Sequence, residues 1–314
     1  MDPLTSAEEL GRQLNEKTAE NLTSNDPYLV KEAEDAINAY TRYKMREDGI
    51  FRRVMPPIPI TNDELDRQIS TDKPVKVVDM ESDSPAAISV GFASLPDTYY
   101  IRGKRYKVTF DRILTPRFTK DVDELRTWIM DIRQVLSDNA IRDMLVEEDT
   151  KFFSAVNTAL VGAGLTVPTS GVVQWEQIAG GITRDNLWDM MKVLPSTPSN
   201  LEVHTSVTNH ITIKEVCKFG RTEMGGDLSQ DVMKAGWTLQ EFMGHRWLIT
   251  IKRALVPNNR VYNFADPKFI GKSYELEATT MHIKREAFMI EFFAYESLGA
   301  TLANTNGFAA VDFT

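Results

Sequence analysis

The sequence predicts an α+β fold, and three observations carry that reading. Apolar residues recur at helical steps for roughly 40 positions after Thr119. Period-two alternation marks extended chain on both sides of that stretch, at Tyr99–Phe110 and at Tyr274–Tyr295. Between about 176 and 270, short helical and extended segments follow one another without a repeat.

Composition supports a folded chain. Of 314 residues, 42% are hydrophobic and 26% charged, which is too apolar for intrinsic disorder. The length suggests about two domains, each large enough for its own core. A single cysteine, Cys217, rules out an internal disulfide framework and argues against a cysteine-built zinc site. No apolar run approaches the roughly 20 residues that span a bilayer. The opening MDPLTSAEEL lacks the basic start and apolar core of a signal peptide, so the expected setting is a reducing cytosol or an assembly built there. With 36 Lys and Arg against 45 Asp and Glu, the formal charge is −9, which argues against a general nucleic-acid coat.

Along the chain, Ser6 and Glu9 have capping-box spacing and open a polar helix carrying Leu10 and Leu14. Ser24 to Pro27 breaks it and starts a second helix with Ala33, Ile37 and Tyr40 on one side, ended by Gly49. Val54 to Ile60, with three prolines, fits an extended arm over another surface, an ordinary linker being the alternative. Val75, Val77 and Met80 mark a short strand and Ser82 to Pro85 a turn-rich tip. Tyr99 to Phe110 then reads as a two-faced hairpin around Gly103, with Tyr106, Val108 and Phe110 on one face and Lys107 and Thr109 on the other.

The longest element is a helix over Thr119 to about Val161, opened by Asp121 and Glu124. It carries Val122, Leu125, Ile129, Ile132, Leu136, Ala140 and Met144, then Phe152, Phe153, Val156 and Leu160, before Gly162 and Gly164 stop it. Asp138–Arg142 and Glu147–Lys151 are acid-first pairs four apart. Downstream, Arg184 to Leu194 is a helix capped by Thr183 and stopped by Pro195. Asn200 to Lys218 reads extended, Arg221 to Asp227 a loop, and Thr238 with Glu241 a second capping box. Trp247 to Ile251 and Arg260 to Phe264 read as strands, and Tyr274 to Tyr295 as long ones.

Catalytic and metal-binding patterns are sparse. None of His204, His210, His245 and His282 stands in a zincin pairing, and His204, His210 and Cys217 have no recognised ligand spacing. Gly162 and Gly164 lack the third glycine and the preceding strand of a dinucleotide fingerprint. Gly220 to Gly226 lacks a P-loop lysine, and no Gly-x-Ser-x-Gly elbow occurs. Trp175, Trp188, Trp237 and Trp247 read as core or interface anchors. No catalytic, metal or cofactor residue is expected.

Charge is informative only by region. Tyr99 to Phe118 holds six cations, Arg102, Lys104, Arg105, Lys107, Arg112 and Arg117, against Asp111 alone, while residues 119–161 are net −4. The arm and the hairpin have too little apolar surface to be stable unaided, so they should lean on something.

The order of parts resembles the major capsid protein of tailed bacteriophages, with the Hong Kong 97-type fold that encapsulin shells share. The stretch Arg105 to Pro116 running into Thr119 to Leu125 is similar to the returning strand of that family's extended loop entering its spine helix. Glu296 to Val311 is similar to its terminal segment. The resemblance implies an N-terminal arm at 1–60, an extended β-hairpin loop at 61–118, and a peripheral domain at 119–175 with return strands at about 271–296. It implies a mixed α/β axial domain at 176–270 and a C-terminal segment at 297–314.

By the same resemblance the chain is a structural protein, not an enzyme. It would assemble in the host cytoplasm as hexamers and pentamers into an icosahedral virion head around double-stranded DNA, with scaffolding, portal and decoration proteins as further partners, without a membrane or cofactor. The expected contact pairs Arg102, Gly103, Lys104, Arg105 and Lys107 of the hairpin with Asp138, Glu147 and Glu148 of a neighbour's helix. Some members weld their shells by a lysine–asparagine bond, for which Lys104 or Lys107 and Asn304 or Asn306 lie in the corresponding parts. An encapsulin-like nanocompartment, a soluble enzyme and a connector or tail component are the alternatives.

Overall fold

The computed structural model describes residues 49–66, 73–80, 103–121, 123–124, 132–162, 174–219, 241–286 and 288–314, with Tyr28, Lys31, Ser89 and Thr98 besides. The helix expected at Ser6, the tip at Ser82 to Pro85, the loop at Arg221 to Asp227 and Thr238 lie outside them. Of the second expected helix, Tyr28 and Lys31 are described, both helical and exposed.

Helix α1 (Ile50–Val54) opens the described chain at Gly49. Strand β1 (Ile58–Pro59) follows, and it pairs in parallel with β11 (Gly271–Glu286). Its Pro59 is tolerated because β1 is the sheet's edge, where a missing donor faces outward. The extended arm thus lies partly over its own sheet. Strand β12 (Met289–Leu302) returns antiparallel along β11, with register shifts between Glu275 and Glu277 and between Glu277 and Thr280. On the far side of β12 lie β4 (Asp111–Leu114) and β5 (Phe118–Asp121), end to end.

One expectation is corrected here. Thr119 to Asp121 is strand, not helix: β5 pairs with Met289 to Phe292 and so satisfies its backbone in the sheet. Asp121 Oδ1 then accepts from the Asp123 amide at 2.8 Å, so helical geometry begins at Asp123. Of the alternation around Gly103, Tyr99 to Arg102 lie outside the described residues, and Lys104 to Thr109 take an upstream partner. Strand β3 (Lys104–Thr109) pairs with β2 (Val75–Met80), from Val75 opposite Thr109 to Met80 opposite Lys104.

A six-stranded sheet forms the second layer. Its order is β6 (Trp175–Ile178), β13 (Phe308–Phe313), β10 (Arg260–Phe264), β7 (Thr205–Asn209), β9 (His245–Thr250) and β8 (Glu241–Phe242). Every residue of β7 is buried, as expected of a strand covered on both faces. Asn200 to Lys218 is therefore not wholly extended. Asn209 Oδ1 accepts from the Ile211 and Thr212 amides and turns the chain into α4 (Thr212–Val216). Glu241 belongs to β8, paired with Arg246, rather than to a helix start. Helix α3 (Arg184–Val193) is capped as its sequence predicts, Thr183 Oγ1 accepting from the Asn186 amide at 3.2 Å. The short α5 (Pro267–Ile270) leads into β11.

Helix α2 (Ile132–Gly162) joins the two layers. Its 31 residues make a rod of about 46 Å. Ala140, Ile141, Met144 and Leu145 pack with Met281, Ile283, Ile290 and Phe292 of the long hairpin. About two turns on, Phe152, Phe153, Val156 and Leu160 enter the core of the six-stranded sheet. There Phe152 lies between Phe51 and Phe264, with ring centroids at 5.3 and 5.6 Å. One helix thus carries consecutive turns of apolar residues into two different cores.

Candidate assembly surfaces

The β2–β3 ribbon is the described part of the predicted basic finger. Val78, Val108 and Phe110 pack on Tyr274, with Leu276 and Ile60 at the margin, so its apolar face is covered by its own chain. Its root crosses β12 at Gly299, where any Cβ would stand 2.9 Å from the Thr109 carbonyl and the Phe110 ring. Only glycine permits that approach. The outer face stays exposed at Lys107 and Thr109.

Most described cations of this region already have partners within the chain. Arg105 pairs with Asp79 at 2.7 Å, Lys73 with Asp111 at 2.6 Å and Arg112 with Glu277 at 3.3 Å. Arg112 also lies over the Tyr295 ring and Arg117 over Phe293. The hydrogen bond from Lys73 holds the Asp111 carboxyl below its ordinary value. Lys107 makes no ion pair among the described residues. Gly103 stands in open space, Lys104 is described by its backbone alone, and Arg102 lies outside the described residues.

The expected acidic partners separate. Glu147 is exposed and pairs with Lys151 at 3.8 Å, and Asp138 is half-buried. Glu148 is not a surface residue: its side chain is 0% exposed and chelates Arg52, Nε to Oε2 at 2.9 Å and Nη2 to Oε1 at 3.0 Å. One residue's step along a helix turns the side chain by about 100°, enough to take 147 outward and 148 inward.

Glu148 belongs to a buried cluster that the sequence did not announce. Arg52 also donates to Glu296 Oε2 at 2.8 Å and to Glu275 at 3.3 Å. Thr279 Oγ1 donates to the same Glu296 oxygen at 3.0 Å. Beside it, Asp149 accepts the Phe51 amide at 2.9 Å and Lys252 Nζ at 2.6 Å. Burial pushes the Asp149 carboxyl up, against the pull of Lys252. Burial alone would lower the Arg52 guanidinium, yet Glu148 and the charges of Glu296 and Glu275 hold it above its ordinary value. These contacts tie α1 to α2, β11 and β12.

Two exposed features complete the surface. A groove of about 500 Å³ runs between β4 and α2, lined by Arg112, Leu114, Pro116, Asp143, Glu147 and Lys151 among others. Phe288, 76% exposed, stands at the tip of the β11–β12 hairpin beside Met289. Asn304 and Asn306 are held within the chain: Asn304 Oδ1 caps the Asn306 amide, and Asn306 bridges Gln174 and Ser199. No group of three or more metal-binding side chains occurs among the described residues.

No protein-family model and no curated protein sequence matches this chain. Solved structures do. The mature capsid of bacteriophage PhiM1 superposes with a TM-score of 0.57 over 85% of this chain and 87% of its own, at 8% identity. It has the fold of a phage capsid subunit. A structure from Microbacterium phage Oxtober96 gives 0.59 at 11% identity, covering 85% of this chain and 91% of that one. A virus-like particle from Pyrococcus furiosus gives 0.50 at 11% identity, covering 90% and 100%. Such identities establish a shared capsid fold and carry no individual residue across. Among the described residues, the outer face of the ribbon, the β4–α2 groove and the hairpin tip are exposed.

Proposed function

We propose that this chain is the structural major capsid protein of a tailed double-stranded DNA bacteriophage. In this reading it assembles as hexamers and pentamers into an icosahedral head with the Hong Kong 97-type architecture. The observation that carries the reading is the match to the PhiM1 mature capsid over 85% of the chain. The element order supports the finer assignment: residues 61–118 as the extended loop, α2 as the spine of a peripheral domain completed by β11 and β12, and 176–270 as most of an axial domain. One refinement concerns 297–314. In this reading β13, which lies inside the six-stranded sheet, belongs with the axial domain, while residues 297–302 continue β12 in the other sheet.

Assembly works through many weak contacts. In this reading the ribbon segment, with Arg102, Lys104, Arg105 and Lys107, lies across a neighbour's α2 at Asp138 and Glu147. Exposed ion pairs contribute about 0–1 kcal/mol each, so single contacts reverse while the closed shell holds. Electron microscopy of the purified protein tests the reading. Closed shells are expected, and a monodisperse small oligomer would overturn it in favour of an enzyme or connector. The full coverage of the Pyrococcus particle subunit keeps a nanocompartment as the second reading. Nucleic acid in particles from infected cells favours the virion, and protein cargo the nanocompartment.

A further inference from the structure

The buried cluster under α1 does not balance with every group in its ordinary charge state. Arg52 brings one positive charge. Glu148 and Glu296, both with fully shielded side chains, and the largely shielded Glu275 bring three carboxylates. Lys252, beside the cluster, is committed to Asp149. The register partner of Glu296 on β4 is Ile113, which offers no charge. Hydrogen bonding fails at the same place. Glu296 Oε2 accepts from Arg52 and Thr279, while Oε1 is buried with no partner. The acidic neighbour there is Glu148, whose two oxygens are acceptors already turned toward Arg52. A buried unpaired charge and an unsatisfied buried acceptor are both costly. One hydrogen removes both deficits.

We propose that Glu296 is a neutral carboxylic acid whose Oε1 hydroxyl donates to Glu148, and that this shared proton latches α1 to α2 and the β11–β12 hairpin, opening when Glu296 ionises. Burial first, then the charge of Glu148 and its hydrogen bond, push Glu296 up to about 9, against Arg52 and Thr279. When the proton leaves, Glu148 and Glu296 face each other as anions with one guanidinium between them. The element that yields is α1. It has five residues, too few for a helix to persist unaided, and its N-cap Gly49 supplies no side-chain bond. Its other polar ties include the Phe51 amide to Asp149 and the Met55 carbonyl, which accepts from Ser273 Oγ. The latch therefore acts on the segment through which residues 1–48 join the described chain. It rests on this cluster alone and not on the capsid reading.

The sign follows from linkage. The native state keeps a proton that the unfolded chain loses at the ordinary carboxyl value of 4.5. Stability is therefore greatest on the acid side and falls as pH rises toward the folded value near 9, beyond which this contribution is flat.

Hydrogen exchange of the full-length protein, followed by mass spectrometry at residues 50–55 and corrected for the intrinsic rate, tests the latch. Between about pH 7 and about pH 10, wild-type protection should fall by about tenfold or more, a factor of ten per pH unit being the limit for one proton. Glu296→Gln, whose amide N–H donates where the hydroxyl did, should hold its protection across the range. Identical profiles for the two proteins would overturn the proposal. If the variant does not fold, the infrared spectrum of wild-type protein labelled with carboxyl-¹³C glutamate decides. A glutamic acid carbonyl band at neutral pH that vanishes by about pH 10 supports the latch, and its absence at neutral pH overturns it.

Discussion

The ribbon β2–β3 and the junction under α1 use charge in opposite ways. In the ribbon the pairs are local and wet: Arg105 and Asp79 are 72% and 76% exposed. Water screens them, and each contributes about 0–1 kcal/mol. At the junction Arg52, Glu148 and Glu296 are shut away from water, and each group there is held by the others. Such a cluster is weak evidence for net stability, but removing one member strands the rest and costs about 3–5 kcal/mol. The lesson is one of reversibility. Exposed charges can trade partners at little cost, while buried ones fix the fold around them.

That contrast can be broken first at its strong end. Glu148→Ala should destabilise the subunit by about 3–5 kcal/mol in urea titration, by leaving Arg52 without its chelate. A loss under about 1 kcal/mol would show that the junction is as plastic as the ribbon. Gly299→Val comes next. The added carbons must displace the Thr109 carbonyl or the Phe110 ring, and a cost of about 1–3 kcal/mol is expected, read as a lower unfolding midpoint and greater protease sensitivity in β3. Thr183→Ala removes the cap of α3 and should cost about 1 kcal/mol.

The smallest effect on folding and the largest on assembly are expected together. Reversing Arg102, Lys104 and Arg105 to Glu should leave the unfolding midpoint within about 1 kcal/mol of wild type while closed particles disappear from sedimentation and micrographs. Normal shells from that triple variant would remove the ribbon's cations from the assembly contact. A double-mutant cycle on Arg105 and Asp79 sharpens the comparison further, with a coupling of about 0–1 kcal/mol expected.

What the sequence disclosed follows the range of the forces involved. The body of α2, the cap at Thr183 and the alternation of β11 and β12 are periodic or local, and the chain states them directly. The partner of β3 was not legible, because β2 lies some 30 positions upstream and alternation says which face is apolar without saying which strand it meets. Helix α1 was missed because five residues hold barely more than one turn, too few for a period to repeat; its geometry comes from Asp149 and from packing on Phe152. Glu148 was misplaced although a signal existed. It stands four residues after Met144 and four before Phe152, in phase with the apolar stripe, and an acid in that phase either faces a buried cation or breaks the helix. That the cation is Arg52 rather than Arg53 depends on the fold, and so do the contributions of Glu275 and Glu296 from neighbouring strands.

The position of β13 bears on when this subunit can come into being. It sits between β6 and β10, and β10 in turn shields β7, so the interior of the six-stranded sheet waits for a strand that begins at residue 308. A ribosome-bound chain short of that point exposes the flanks of β10 and β6 with nothing to pair them, and contacts of such long sequence separation form late and slowly. Translation that stops early therefore yields a chain without a closed second layer, open to proteases. The order of strands becomes a quality check on synthesis.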